Sequence, residues 1–134
     1  TILDYAGVSA PAGSGGLSLR DAVRTADALV TGTGASREYI ACETELVPKG
    51  GYAGRMIRTE RFKYVAYEWG DFREQLFDLD RDPTELVELS TDPGEAERIA
   101  SWRRRLVEML ARRNDPLTDG ERLVPADEWY GPDV

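Results

Sequence analysis

The chain has 134 residues, of which 41% are apolar and 31% charged, and it carries a formal net charge of -8. That length suits one domain around a single core, and no window approaches the roughly 20 consecutive apolar residues of a membrane span, so a soluble unit is expected. The acidic balance repels phosphate backbones and anionic headgroups, which disfavours nucleic acid and membranes as partners.

The first residues, TILDYAGV, place Ile2, Leu3, Tyr5, Ala6 and Val8 as the last turns of a helix would, with Gly7 as its terminator. A helix this short is marginal without a packing partner. SAPAGSGGLSL and ADALVTGTGAS then read as surface loops. From Arg37 the pattern becomes β-like. REYIACETEL alternates Tyr39 and Ala41 against Ile40 and Cys42, and PKGGYAG is a turn-rich loop. RMIRT, a tight Glu60-Arg61 connection and FKYVAYEW make a hairpin in which Phe62, Tyr64 and Ala66 face one side and Lys63, Val65 and Tyr67 the other. After a turn at GDFR the chain returns in EQLFDL, giving three or four consecutive antiparallel strands.

STDPGEAERIASWRRRLVEMLARR reads as the longest helix. Asp92 is placed to cap it, Pro93 suits the first helical position and Glu95 lies near the positive dipole end. Ile99, Trp102, Leu106, Met109 and Leu110 form one apolar stripe that needs a sheet to cover. Arg103, Arg104 and Arg105 within it read as a solvated face rather than a docking patch. The last residues, from Asn114, are punctuated by proline and irregular.

Candidate chemistry is sparse. The single cysteine excludes an intramolecular disulfide and a multi-cysteine metal site, and Cys42 in a strand setting is expected to be a buried small hydrophobe. Histidine is absent, which removes the commonest general base and the usual activator of serine or cysteine nucleophiles. Asp78, Asp80 and Asp82 match the first half of a calcium loop, but Pro83 stands where glycine must turn the chain and Leu89 where a bidentate glutamate is needed. The aspartates are therefore expected to end a strand and shape its exit. GSGG and TGTGAS lack the lysine of a phosphate loop, and Arg37 stands where a dinucleotide fingerprint needs glycine. Catalytic and metal-ligating residues are assigned to no position.

The order of the pieces carries more than any one of them. TILDYAGVSAP, GGLSL, REYIACETE, GRMIRTERFKYVAYE, EQLFDLDRDPTELVELS and a capped amphipathic helix together resemble the C-terminal end of the sulfatase family, in the alkaline phosphatase superfamily, over residues 1 to about 113. RTERFKY followed by LFDLDRDPTE is the most specific part, while Glu88 stands where the family often has asparagine. The resemblance implies an α+β fold: a small antiparallel sheet of about four strands packed against a long C-terminal helix, with a loop-rich N-terminal segment. It divides the chain into residues 1–36, the end of the large-domain region with connecting loops; 37–113, the C-terminal subdomain; and 114–134, an irregular tail.

In function, the resemblance implies the C-terminal subdomain of an enzyme that hydrolyses sulfuric esters, supporting the catalytic domain and the rim of the substrate cleft, and inactive alone. The implied partner is an N-terminal catalytic domain. The implied cofactors, formylglycine from a Cys/Ser-x-Pro-x-Arg motif and a divalent cation, calcium or magnesium, belong to that domain; Cys42, followed by ETEL, is not the motif cysteine. The rim loop is expected at Val47 to Gly54, with Arg55 and Arg58 as contacts for an anionic substrate; the competing expectation for Arg58 and Lys63 is pairing with Asp78 or Glu85. The alternative from another class is an autonomous acidic protein-interaction module, or a homodimer covering its own apolar start, without catalysis; a homo-oligomer is the further partner expected.

Overall fold

The computed structural model describes residues 1–14, 18–20, 38–45, 53–68 and 70–124. They fall into two units, Thr1–Glu38 and Tyr39–Val134. The glycine-rich stretch 31–36, residues 15–17 and residues 47–52 of the expected rim loop lie outside the described residues.

In the first unit, α1 (Ile2–Tyr5) buries none of its residues. The amide of Val8 donates to Leu3 O at 2.8 Å and Gly7 takes a φ of +69°, a left-handed stop that glycine adopts without steric cost. Asp4 accepts from the Ser18 hydroxyl at 2.6 Å and from Arg20 Nη1 at 3.1 Å, so short polar contacts hold this segment together.

The second unit is a four-stranded antiparallel sheet in the order β1 (Ile40–Glu45), β2 (Ala53–Arg58), β3 (Phe62–Tyr67), β4 (Glu74–Asp78), followed by a single turn of 3-10 helix, Pro93–Glu95, and α2 (Ala96–Ala111). This is the up-and-down order expected from sequence. The Glu60-Arg61 turn closes as Thr59 N donates to Phe62 O at 2.9 Å while the Thr59 hydroxyl accepts from Phe62 N at 3.1 Å. Asp92 caps as expected, its Oδ1 accepting from Gly94 N at 2.8 Å. Asn114, at φ +53°, ends α2 with Asp115 N donating back to Leu110 O at 3.1 Å.

The pleat sorts side chains by parity. Ala41, Ile57, Tyr64 and Leu76 pair in register and point to the helix, where Ile99, Trp102, Leu106, Met109 and Leu110 meet them. Leu117, past the helix, is buried in the same cluster, so the start of the tail closes the core. Phe62 lies under two guanidinium groups, Arg61 and Arg98, each 4.8 Å from its ring centre, and beside Trp102 at 6.0 Å.

Two of the three helix arginines depart from the solvated face expected of them. Arg103 donates Nε and Nη2 to Glu74 at 2.6 and 2.5 Å, and Arg105 stacks over Tyr39 and Trp102 at 5.4 and 5.2 Å. Only Arg104 is exposed. The long stems let charge leave the apolar stripe while still tying helix to sheet.

Candidate functional site

The aspartate run ends a strand. Asp78, the last residue of β4, is buried and accepts from Arg61 Nε at 3.1 Å and Nη2 at 2.8 Å. Those bonds from Arg61 hold its carboxyl below the usual carboxylate range. Asp82 accepts from Val87 N at 2.7 Å and from the Thr84 hydroxyl at 3.0 Å, and the Val87 amide leads in lowering its pKa. Asp80 is exposed and lies 3.7 Å from Arg61 Nε. The carboxylates thus turn to arginine and to backbone amides, shaping the exit as expected. Among the described residues no group of three or more Asp, Glu or Cys side chains gathers as a cation cage, so they do not fit the divalent cation that the resemblance implies.

The segment after β4 also seals the sheet's edge. Leu89 N donates to Leu76 O at 2.9 Å, and Glu88 Oε1 accepts from Leu76 N at 3.0 Å and from Ser90 N at 2.6 Å. Covering an edge strand's free amide guards against pairing with other chains. Glu88 fits because the three groups it faces, the Leu76 and Ser90 amides and the Ser90 hydroxyl, are all donors.

Arg55 and Arg58 belong to the same strand but to opposite faces of the sheet. Arg55 points to the helix side, is 6% exposed, and donates Nε to Asp115 Oδ2 at 2.7 Å and Nη1 to Gly54 O at 3.1 Å. Asp115 Oδ1 accepts from Leu117 N at 2.9 Å, so this ion pair fastens the tail across the start of β2. Arg58, three residues later and so of the other parity, is exposed on the far face, in register with Ile40 and Lys63. Lys63 is paired with Glu85, as the competing expectation held for it, and its ammonium lies 5.4 Å over the Phe77 ring.

Among the described residues of this unit no helix covers that far face. Cys42, Thr44, Gly54, Met56, Lys63, Val65, Tyr67, Gln75 and Phe77 share it by register, and several of them line an open groove of about 230 Å³ bounded by Glu85. Cys42 is exposed, not buried as expected, because β1 is the sheet's edge and Cys42 has the parity of the uncovered face. Ala53 and Gly54 belong to β2 rather than to the preceding loop. Gly54 is there for close approach: a Cβ would stand 2.8 Å from the Thr44 hydroxyl and 3.0 Å from the Tyr67 ring. Nearby, buried Glu68 accepts from Ala53 N at 2.8 Å, while its Oε2 has no hydrogen-bond partner among the described residues.

Sequence reasoning passed over Asp115, Glu74 and Glu68. Asp115 had a signal, an Asp-Pro pair just past a helix stop, which marks a turn. Glu74 and Glu68 had none, since their partners lie 29 and 15 residues away in sequence.

Comparison with known proteins places this arrangement. The chain is 33% identical over 126 residues to an arylsulfatase of Clostridium perfringens, covering 92% of this chain and 24% of that protein. It is 30% identical over 118 residues to a Delta 4,5-hexuronate-2-O-sulfatase of Bacteroides thetaiotaomicron, covering 86% and 23%. The solved structure of a 2-O GAG sulfatase superposes with a TM-score of 0.68 at 30% identity, over 86% of this chain and 24% of that one. The chain therefore spans about a quarter of the length of the relatives it matches. The profile described as N-sulphoglucosamine sulphohydrolase, C-terminal, matches residues 1–112. With a four-stranded sheet crossed by one long helix and most of its length matched, the chain belongs to the sulfatase family, as its C-terminal subdomain.

Proposed function

We propose that the chain serves as the supporting subdomain of a sulfuric ester hydrolase whose reaction takes place on a separate catalytic domain. The observation that carries this reading is the sheet's unequal faces. One is closed by α2, and the other carries buried Val65 and Phe77 beneath exposed Cys42 and the half-buried Met56 and Tyr67, a half-apolar surface suited to a second domain. Residues 37–113 would form the subdomain, residues 1–36 would belong with the large domain, and 114–134 would be the tail.

Sulfate ester hydrolysis needs a positioned nucleophile and concentrated positive charge for the transition state. In the proposed whole enzyme a formylglycine and a divalent cation supply these. No Cys/Ser-x-Pro-x-Arg motif occurs here: Ser9-Ala10-Pro11 begins one, but Gly13 stands in the arginine's place. The residues of this chain contribute support and rim contacts instead. Arg58, exposed on the unclosed face, is the proposed contact for an anionic substrate. Arg55 would hold the strand's start and the tail in position from beneath the rim.

The test is an assay of the purified chain against a chromogenic aryl sulfate, with and without calcium. No turnover is expected, and appreciable turnover would overturn the reading. Replacing the matched quarter of the Clostridium perfringens arylsulfatase with this chain should retain activity, and Arg58→Ala in that chimera should raise KM more than it lowers kcat. A symmetric dimer of the isolated chain closed over the far face would instead favour the interaction module.

A further inference from the structure

The edge of the helix-covered face holds a second feature. A cleft of about 220 Å³ between the β3–β4 turn, the helix and the tail is lined by Tyr67, Arg73, Glu74, Arg103, Arg122 and Leu123. Three guanidinium groups meet one carboxylate there, in a chain whose net charge is -8. The carboxylate is already engaged: Glu74 accepts both Arg103 bonds and a hydrogen bond from the Tyr64 hydroxyl. Arg122 Nε lies 3.2 Å from Asp119, which is not part of the lining. Arg73 differs from both. It donates Nε to Tyr67 O at 3.2 Å, which fixes the plane of its fork, and its terminal nitrogens make no hydrogen bond among the described residues. An oriented guanidinium with two donors to spare is suited to bidentate capture of an oxyanion.

We propose that this cleft binds one oxyanion group, a sulfate or a carboxylate, carried on an acidic saccharide, with Arg73 as its principal donor. The side chain of Leu123 supplies an apolar wall against which the C–H face of a sugar ring can rest, while Tyr67, whose ring belongs to the far face, lines the cleft where its carbonyl takes the Arg73 bond. Arg103 lends field more than bonds, because its fork is spent on Glu74. The site is separate from the Arg58 rim, which lies on the opposite face. Its saccharide class rests on the sulfatase reading; its preference for an oxyanion rests on the three arginines alone.

The experiment is an NMR titration of the 134-residue chain, observing arginine Nε–Hε and leucine methyl signals. The probes are inorganic sulfate, N-acetylglucosamine 6-sulfate, glucuronic acid and uncharged N-acetylglucosamine. The two acidic sugars should shift Arg73 and Leu123, and the neutral sugar should shift neither. Arg73→Gln should weaken binding about tenfold or more, the loss expected when a charge-assisted hydrogen bond is removed, and Arg73→Lys should recover part of it.

Absence of any shift at Arg73 in the unmodified chain would overturn the proposal even if the variants failed to fold. A response to inorganic sulfate with none to either sugar would overturn the saccharide assignment, leaving an adventitious ion only. Because no turnover is measured, a negative result here leaves the sulfatase reading intact. An inactive chimera beside positive titrations would sink that reading and leave the oxyanion preference standing.

Discussion

The two faces of the sheet are built from the same strands yet are finished differently. On the helix side Ile57, Tyr64, Leu76, Leu106, Leu110 and Leu117 are almost wholly excluded from water, and ion pairs sit at the margin: Arg103 with Glu74, Arg55 with Asp115, Arg113 with Glu43. On the far side Val65 and Phe77 are buried, while Cys42, Thr44 and Arg58 stay exposed. A chain able to bury most of one face has kept the other half apolar and half polar. That mixture is costly as a permanent surface and useful as an interface. Stability should therefore be concentrated on the helix side and recognition distributed elsewhere.

Mutations can break this contrast. The largest loss is expected for Asp115→Ala, about 3–5 kcal/mol, since it leaves the Arg55 guanidinium buried without its partner; urea denaturation measures it, and a loss below about 1 kcal/mol would show that Arg55 finds water. Leu106→Ala, a wholly buried side chain in the middle of the stripe, should cost about 2–5 kcal/mol by the same measurement.

Gly54→Ala should cost about 1–3 kcal/mol, because the added methyl meets Thr44 on one side and Tyr67 on the other. A neutral result would mean that the edge strand β1 yields easily. Cys42→Ser, on the far face, should change stability by less than about 0.5 kcal/mol, while its thiol in the original chain should react readily with a maleimide.

Acid tests the margin of the closed face. Burial pushes the Glu74 carboxyl up, but the bonds from Arg103 and Tyr64 outweigh it and leave the group below its ordinary value of 4.5. Asp78 is likewise held down by Arg61. A carboxylate with a depressed folded-state pKa adds stability above its unfolded value, and that contribution is lost as pH falls through the folded one. Thermal unfolding should thus show stability draining away progressively below about pH 4.5, and Glu74→Gln should flatten part of that fall. An unchanged acid profile in the variant would show that Glu74 is not linked to folding.

Much of this arrangement was readable in the residues. The alternation of Phe62, Tyr64 and Ala66 against Lys63, Val65 and Tyr67 reports a period of two, and Ile99 to Leu110 a period near 3.6; both are local rhythms that survive in any packing. The Asp92-Pro93 start and the Glu60-Arg61 turn are likewise local chemistry. Cys42 was misread because strand parity says that a residue shares a face with Met56 and Val65, but not whether anything covers that face. Gly54 was read as loop because glycine marks turns and close approaches alike, and only the neighbouring Thr44 and Tyr67 tell the two apart.

What the amino-acid order determined by itself was the set of elements, their up-and-down succession and the stripe that makes the helix cover a sheet, since each depends on contacts a few residues long. Tertiary structure alone decided which face the helix closes, that Arg55 turns inward to Asp115 while Arg58 stays in water, and that Tyr67, Arg73, Arg103, Arg122 and Leu123 surround one cleft. Those outcomes depend on pairings between residues far apart in sequence. They are set by the register of strands and the seating of one helix, and no local pattern encodes either.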